Sequence, residues 1–163
     1  MHGAPHTQAQ FADLLEAHKG ILYKICRVYC AHPDGREDLA QDIVLQLWRS
    51  LPSYDAGRCR FSTWMYRVAL NIAISAHRRE SARIRHLSPD PLLDIAAAVS
   101  AETVEVRMLY DMIERLEPLN RALLLLYLDG NSYAEIAEIL GIRETNVATK
   151  LNRLKERMKQ EMN

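Results

Sequence analysis

A run of polar and basic side chains near the carboxyl end of the chain is suited to binding nucleic acid. Arginine and lysine bind phosphates, and amide or hydroxyl groups hydrogen-bond the edges of bases in a major groove. The side chains of this kind are Arg143, Asn146, Thr149, Lys150 and Arg153. At helical spacing they share one face, which is too polar to belong to a hydrophobic core. We therefore expect this face to contact duplex DNA.

Two short helices joined by a tight turn are predicted to present this face. Ser132 and Glu135 have the spacing of a capping box, which starts a helix by satisfying its first amide donors. Gly141 then supplies the left-handed conformation that ends this helix. On the second helix, Val147 and Leu151 lie four residues apart and predict a buried stripe. The pattern indicates a helix-turn-helix, although a packed helical hairpin with a solvated outer face has the same periodicity.

A second group of basic residues is mixed with aromatic ones between residues 58 and 79. Its members predicted to bind DNA are Arg60, Phe61, Tyr66, Arg67, Asn71, Arg78 and Arg79. Unstacked bases stack on aromatic rings or are recognised at their edges, while arginines hold the phosphates. The composition therefore favours single-stranded nucleic acid. The alternative is that aromatic residues such as Phe61 and Trp64 belong to the core.

The formal net charge of the 163-residue chain is zero, but the charges are unevenly distributed. Residues 58–86 carry seven basic side chains and one acidic side chain, and residues 142–163 carry six and three. The other two blocks are acidic, with five basic and seven acidic side chains in residues 1–57, and three and ten in residues 87–141. This alternation predicts two separate contacts with polyanions and at least one surface for a basic partner.

Composition indicates a cytoplasmic protein without membrane insertion. No apolar run approaches the roughly 20 residues needed to span a bilayer, and the first residues lack the charge and hydrophobicity of a secretion signal. The odd cysteine count of three favours a reducing compartment.

Few residues are arranged for metal binding or catalysis. Cys26 and Cys30 lie four residues apart with His18 and His32 nearby in sequence, so a metal site is one interpretation. Buried helical cysteine is the commoner one. The sequence offers no paired nucleophile and base, and no glycine-rich phosphate loop. We expect no metal, no cofactor and no enzymatic activity.

Helical periodicity covers nearly the whole chain and predicts an all-α fold. Apolar positions predict one helix over residues 11–29, a second that opens with a capping box of Asp34 and Glu37, and a third that starts at Ser62. The stripe predicted to be buried in the second helix comprises Leu39, Ala40, Ile43, Leu47, Trp48 and Leu51.

Two small domains are expected, residues 1–86 and residues 102–163. Residues 87–101 contain two prolines and many small side chains, so we expect them to form a flexible linker. In the second domain, Pro118 is suited to the first turn of a helix that runs to Leu128.

Three stretches together resemble the extracytoplasmic function (ECF) sigma factors of bacteria, which belong to the sigma-70 family. They are REDLAQDIVLQLWRSLPSYD, FSTWMYRVALNIAISAHRRE and, after the linker, LEPLNRALLLLYLDGNSYAEIAEILGIRETNVATKLNRLKERM. The resemblance covers residues 8–160 and keeps both domains in the family's order. It implies a subunit that binds core RNA polymerase and directs promoter recognition, DNA melting and transcription initiation.

The resemblance also implies a role for each domain. The first, sigma region 2, is a bundle of three to four helices that binds the polymerase clamp and the −10 element of promoter DNA. The second, sigma region 4, is a helix-turn-helix domain that binds the −35 element and the polymerase flap. The residues that match the family's polymerase-binding motif are Glu37, Asp38, Gln41 and Asp42. Helical spacing adds Leu45 and Arg49, which share a stripe with Asp38 and Asp42 away from the core of that helix, so we expect these residues to contact core polymerase as well. The basic and aromatic segment above matches the strand-opening segment, and Lys150 and Arg153 match the recognition helix.

Two residues depart from the family's pattern. Arg143 occupies a place where the family often has a serine cap, which leaves the start of the recognition helix less well defined by the sequence. Ala148 replaces a usual basic residue and removes one expected phosphate contact.

Alternatives remain for both function and partners. A helix-turn-helix regulator that binds duplex DNA without being a polymerase subunit is the alternative function. It leaves the basic and aromatic segment without a role. Sigma factors of this type are usually held inactive by an anti-sigma factor, so we expect such a partner. The acidic tract from Asp90 to Glu117 serves that partner or keeps the two domains soluble.

Overall fold

The computed structural model describes residues 7–85 and 102–163, and those residues form eight α-helices and one 3-10 helix. In chain order these are α1 (Gln8–Ala17), α2 (Lys19–Tyr29), α3 (Pro33–Ser50), the 3-10 helix Leu51–Ser53, α4 (Phe61–Arg85), α5 (Val104–Glu114), α6 (Pro118–Leu128), α7 (Tyr133–Leu140) and α8 (Glu144–Met162). The predicted all-α fold is confirmed. The predicted linker, residues 87–101, lies outside the described residues. Within the described ranges, no helix has the length and apolarity needed to cross a membrane.

The helix predicted over residues 11–29 is divided in two at His18, which corrects the sequence prediction. A capping box between Thr7 and Gln10 starts α1. His18 then leaves helical geometry, with φ −119° and ψ 15°, and its Nδ1 lies 2.8 Å from the carbonyl oxygen of Leu14. The ring thus provides a partner for a carbonyl group at the end of α1. Periodicity does not detect such a break, because both helices direct apolar side chains to the same core.

The start of α3 also differs from the prediction. The helix begins at Pro33, so the capping box predicted from Asp34 and Glu37 is wrong. His32 is the N-cap residue, without a side-chain capping bond among the residues that the structure describes. Proline suits the first helical position because it has no N–H to satisfy and its φ is already helical. Asp34 therefore lies in the first turn, where a carboxylate interacts favourably with the helix dipole.

The first domain is built around α4, which packs on both α2 and α3. Met65 of α4 is fully buried, as are Ile25 of α2 and Ile43 and Leu47 of α3. Burying aliphatic side chains of this size stabilises a fold by about 1.5–3 kcal/mol each. The apolar stripes therefore hold α4 in place.

Trp48 is an exception to the predicted stripe of α3. Its side chain is 40% exposed, although the sequence prediction places it in the core. Trp48 directly follows the buried Leu47, and consecutive helical residues are turned by about 100° from each other. Its ring instead lies at the domain surface, with its centroid 5.2 Å from that of Phe11.

The second domain contains the predicted helix-turn-helix. Ser132 Oγ accepts a hydrogen bond from the Glu135 amide at 3.1 Å, and the Glu135 carboxylate accepts one from the Ser132 amide at 2.7 Å. This capping box is confirmed. Gly141 ends α7 in the left-handed conformation, with φ 67°. Val147 and Leu151 of α8 are fully buried, so the polar face of α8 points away from the domain.

The two domains pack against each other, through α2 and α4 of the first and α5, α6 and α7 of the second. A buried arginine from each domain crosses this boundary. Arg27 of α2 pairs with Glu102 at 3.0 Å and with Glu114 at 2.5 Å. Arg121 of α6 donates a hydrogen bond to the carbonyl oxygen of Val28 at 2.9 Å. The residue pattern of each domain does not predict this contact, because the partners lie far apart in the sequence.

Candidate nucleic-acid and polymerase interfaces

The polar face of α8 carries the residues predicted to bind the −35 element. Arg143, Asn146, Thr149 and Arg153 are exposed, and Lys150 is half-buried. The opposite, apolar side of the helix is held in the domain core. The structure therefore brings all five side chains to one surface that a DNA groove can approach.

The first turn of α8 forms without a serine cap. Arg143 is the N-cap residue, with φ −72° and ψ 145°, and within the described residues its side chain makes no capping hydrogen bond. The helix nevertheless begins at Glu144, directly after it, so the departure from the family's pattern does not delay the helix. Further along, the Thr149 hydroxyl donates to the carbonyl oxygen of Thr145 at 3.0 Å. Its proton is thus held within the helix, while its oxygen remains able to accept a hydrogen bond.

The residues predicted to bind the −10 strand differ in exposure along α4. Asn71, near the middle of the helix, is exposed, and so are Arg78 and Arg79 further along it. Phe61 and Tyr66, at its beginning, are only 6% and 2% exposed. In this conformation neither ring is accessible to a base, so the stacking role expected for both stays a prediction.

Phe61 is buried because it belongs to an aromatic cluster. Its ring centroid lies 5.0 Å from that of His18, 5.6 Å from that of Tyr54 and 5.5 Å from that of Trp64. Aromatic pairs at such distances add stabilisation beyond the area they bury. The core interpretation, which the sequence left open for Phe61 and Trp64, therefore describes both residues.

Tyr66 is buried for a different reason, because it lies at the boundary between the domains. Its hydroxyl donates a hydrogen bond to the carboxylate of Asp129, which also pairs with Lys24. Burial, and then the hydrogen bond to this carboxylate, raise the pKa of the Tyr66 phenol. The phenol is therefore neutral and acts as a donor at physiological pH.

The two arginines on either side of Tyr66 are paired with α7. Arg60 Nη2 lies 2.6 Å from Glu135 Oε1, and Arg67 Nη2 lies 3.5 Å from Glu138 Oε1. The backbone hydrogen bond from Ser132 and the charge of Arg60 lower the pKa of the Glu135 carboxyl. The first part of the predicted −10 surface thus faces carboxylates of the second domain.

The stripe of α3 predicted to bind polymerase is exposed along its whole length. Its members are Glu37, Asp38, Gln41, Asp42, Leu45 and Arg49. Leu45 and Trp48 are 46% and 40% exposed and border an open groove between α1 and α3. The groove is lined by Gln8, Phe11, Glu37, Ala40, Gln41, Val44, Leu45 and Trp48. Carboxylates beside exposed apolar surface suit a partner helix with basic and apolar side chains.

The cysteines behave as structural side chains. Cys26 is buried, and burial raises the pKa of its thiol to about 11. The half-buried Cys30 donates a hydrogen bond to the carbonyl oxygen of His32 at 3.4 Å. Metals bind the thiolate, which such burial disfavours. Within residues 7–85 and 102–163, no group of three or more potential metal ligands is assembled.

Residues at the domain boundary are functional candidates that the sequence analysis missed. Arg27, Arg121 and Asp129 all connect one domain to the other. A signal was available for Arg121, which lies among the apolar residues of α6. Arginine is rarely buried unless it is paired, so a charge in such a run indicates a specific partner.

Comparison with known proteins assigns both domains. Residues 14–83 match Sigma-70 region 2, and residues 106–158 match Sigma-70, region 4. The chain is 29% identical to the ECF RNA polymerase sigma factor SigW of Bacillus subtilis (strain 168), over 95% of this chain and 90% of that protein. It is 30% identical to the ECF RNA polymerase sigma factor SigK of Mycobacterium sp. (strain JLS), over 90% of this chain and 78% of that protein.

Two solved structures share the fold. CnrH, in complex with the cytosolic domain of CnrY, has a TM-score of 0.70 at 20% identity, covering 96% of this chain and 89% of its own. RpoE from Bartonella quintana, in complex with the anti-sigma factor NepR, has a TM-score of 0.72 at 17% identity, covering 94% of this chain and 96% of its own.

The fold and these matches define a sigma factor of RNA polymerase, with sigma region 2 as the first domain and sigma region 4 as the second. The chain belongs to the ECF sigma factors of the sigma-70 family. Its function is therefore to bind core polymerase and direct transcription initiation at promoters.

Proposed function

We propose that this sigma factor docks on the clamp of core RNA polymerase through the exposed stripe of α3. Asp38 and Asp42 would meet basic side chains of the clamp, while the groove beside Leu45 and Trp48 would receive apolar ones. The observation that carries this assignment is the exposure of a charged and apolar face on a helix whose other side is fully buried. A regulator that binds only duplex DNA has no need of such a face.

Promoter recognition is proposed to use both domains. In region 4, α8 enters the major groove of the −35 element, where Asn146 and Thr149 meet base edges. Arg143, Lys150 and Arg153 hold the phosphates on either side. The exposure of these side chains on one helix face supports this role. Region 4 is also proposed to touch the polymerase flap.

Opening of the promoter is proposed to use α4 of region 2. Asn71 hydrogen-bonds an unstacked base of the −10 strand, because an amide offers a donor and an acceptor together. Arg78 and Arg79 hold the strand by its phosphates. All three are exposed. A role for Arg60, Phe61, Tyr66 and Arg67 requires that they first leave the contacts described above.

An anti-sigma factor is proposed as a further partner. RpoE of Bartonella quintana, which shares this fold, was solved in complex with the anti-sigma factor NepR. The open groove between α1 and α3 offers such a partner the same surface as core polymerase. We further propose that the factor works in the cytoplasm and has no catalytic activity or cofactor of its own.

Transcription in vitro tests the proposed function directly. Core polymerase is incubated with genomic fragments with and without the factor, and the start sites of the transcripts are mapped. We expect discrete start sites that depend on the factor and share −35 and −10 elements. Transcription that is the same with and without the factor, in the presence of active core polymerase, would contradict the proposal.

A further inference from the structure

We propose that Lys155 and Tyr133 form a binding site for a backbone phosphate of the −35 duplex, beside the polar face of α8 described above. Tyr127 positions the Lys155 ammonium for this contact. The inference rests on the proposed binding of α8 to the −35 element, and it adds a DNA contact that is built from three helices of region 4.

The ammonium group of Lys155 is held by two tyrosine side chains. Its Nζ lies 4.1 Å from the ring centroid of Tyr127 and 5.7 Å from that of Tyr133. It also donates a hydrogen bond to the Tyr133 hydroxyl at 3.2 Å. The face of an aromatic ring attracts a cation at such distances. Because Tyr127 belongs to α6, Tyr133 to α7 and Lys155 to α8, the packing of three helices sets the position of the ammonium.

The charge of Lys155 has no acidic partner. Lys19, Lys24 and Lys159 each pair with a carboxylate. Of the lysines in residues 7–85 and 102–163, only Lys150 and Lys155 do not, and both belong to α8. Tyrosine rings orient an ammonium group but carry no compensating negative charge. The arrangement therefore suits an anion from outside the chain.

The Tyr133 hydroxyl adds a hydrogen-bond donor beside this charge. Its oxygen accepts a hydrogen bond from Lys155, so its own proton remains available to a second acceptor. A DNA phosphate offers negative charge and acceptor oxygens together, and lysine and tyrosine side chains both contact the phosphates of DNA. The two donors thus match one phosphate group.

The site lies where a helix-turn-helix meets the DNA backbone. In this motif the first helix crosses the backbone while the second enters the major groove. Tyr133 is the first residue of α7, the first helix of the motif. Lys155 follows Ala148 on α8 by seven residues, which is about two helical turns and places both on the same flank. Lys155 therefore supplies a positive charge on the flank where Ala148 has none.

A phosphate can reach this site in the structure as it stands. Tyr127 is 37% exposed, and Tyr133 and Lys155 are half-buried. The carboxylates nearest to them in sequence are engaged with other groups, since Glu135 pairs with an arginine of α4 and Glu156 with a lysine of α8. Binding therefore displaces no acidic group from Lys155.

The first test removes the charge at position 155. The full-length Lys155→Gln variant is titrated against a fluorescein-labelled duplex that carries the −35 element of a mapped promoter, and against the same duplex with that element scrambled. Lys159→Gln is the matched control, because it removes the same charge from an exposed position on the same helix. We expect Lys155→Gln to bind both duplexes about three- to tenfold more weakly than the control, and to lower the slope of log affinity against log salt by about one. Lys155→Arg should restore that slope, because arginine binds phosphate and stacks on aromatic rings.

The second test changes the two tyrosines. Tyr133→Phe keeps the ring but removes the donor, so we expect about two- to fivefold weaker binding with an unchanged salt slope. Tyr127→Leu should weaken binding by about the same factor in the wild-type background, and by nothing further in the Lys155→Gln background, because it acts only by positioning the ammonium. A ring that merely stabilised the domain would have the same effect in both backgrounds.

The outcomes separate this site from the proposed function. If Lys155→Gln matches Lys159→Gln in affinity and salt slope while Arg153→Ala lowers both, the phosphate site is overturned and the role of α8 stands. If Arg153→Ala has no effect either, the proposed −35 binding by α8 fails together with the site. Equal effects of Tyr127→Leu in the two backgrounds would overturn the positioning role of Tyr127.

Discussion

Arg121 of region 4 donates a hydrogen bond from Nη1 to the carbonyl oxygen of Val28 in region 2, over 2.9 Å. The same guanidinium donates from Nε to the carbonyl oxygen of Leu116 at 2.8 Å, and from Nη2 to that of Glu114. The side chain is 8% exposed, and burial lowers its pKa. The guanidinium nevertheless stays charged, because the ordinary pKa of arginine lies far above physiological pH. One planar group therefore links backbone atoms of both domains.

Replacing Arg121 with lysine is expected to lower the free energy of unfolding by about 1–3 kcal/mol. An ammonium group lacks the planar fork that serves three carbonyl groups at once, so at least one buried oxygen loses its partner. Urea unfolding followed by circular dichroism measures the change. Arg115→Lys is the control, because Arg115 is exposed. Equal unfolding midpoints in the two variants would show that the bridge does not stabilise the protein.

Reversing the charge of Asp42 is expected to weaken binding to core polymerase by at least about tenfold, because it places like charges against each other at the interface. The fold should be unaffected, since Asp42 is exposed. Titration of labelled Asp42→Arg with core polymerase measures the effect. Glu16→Arg is the matched control, as an exposed reversal in the same domain outside the groove lining. Matching affinities for the two variants would refute the proposed docking surface.

Two residues of α8 are expected to affect −35 binding in different ways. Arg153→Ala should weaken binding on all sequences alike and reduce the salt dependence by about one ion, because it removes a phosphate contact. Asn146→Ala should instead change the preferred base at one position. A salt titration on a −35 duplex and a randomised-base selection measure the two effects. Lys159→Ala, exposed near the end of α8, is the control. If neither Arg153→Ala nor Asn146→Ala differs from the Lys159→Ala control in salt dependence or base preference, the recognition helix is wrongly assigned.

Asn71→Ala is expected to relax the sequence requirement at the −10 element, at a cost of about 1–3 kcal/mol of discrimination between bases. Binding to core polymerase and to a −35 duplex should be unchanged. Arg78→Ala should slow melting at every promoter alike, because phosphates are common to all sequences. Permanganate footprinting of thymines near the start site measures both. If the Asn71 variant melts DNA with unaltered base preference, the base is recognised elsewhere, and residues 54–60 are the next candidates.

His77 is expected to make stability depend on pH. Burial, and then the charge of Arg121, lower the pKa of this imidazole below its ordinary value of 6.5. The unfolded chain therefore takes up the proton first as the pH falls below 6.5, and protonation favours unfolding. His77→Gln should lose less free energy of unfolding than wild type between neutral and mildly acidic pH. Urea titrations across this range measure it, with the exposed His32→Gln as control. Parallel pH profiles for wild type and His77→Gln would contradict this role.

The helix caps, the turn and the buried stripe of the second domain were predictable from the sequence, because each is formed by residues that lie close together in the chain. The capping box of Ser132 and Glu135 and the turn at Gly141 involve residues within a few positions of each other, so their chemistry is legible in the sequence. The buried stripe of Val147 and Leu151 follows from helical periodicity in the same way. The break at His18 was not predictable, since the residue satisfies a carbonyl group rather than interrupting the apolar pattern.

The accessibility of the −10 surface was decided by tertiary structure. Periodicity shows which residues share a helix face, but it does not show which distant element covers that face. Tyr66 and Asp129 are 63 residues apart in sequence and form one hydrogen bond. Phe61 is equally suited to a base or to a core, and its burial depends on the ring of His18, between α1 and α2, and on that of Tyr54, in the loop before α4.

The sequence by itself determined the family, the helical fold and the residue types that suit DNA and polymerase, because these depend on local spacing and charge. Only the folded chain decided which of those residues are accessible. Arg27 and Arg121 find partners that lie 75 to 93 residues away. Buried charges require such partners to offset the loss of hydration, and only the packing of one domain on the other provides them.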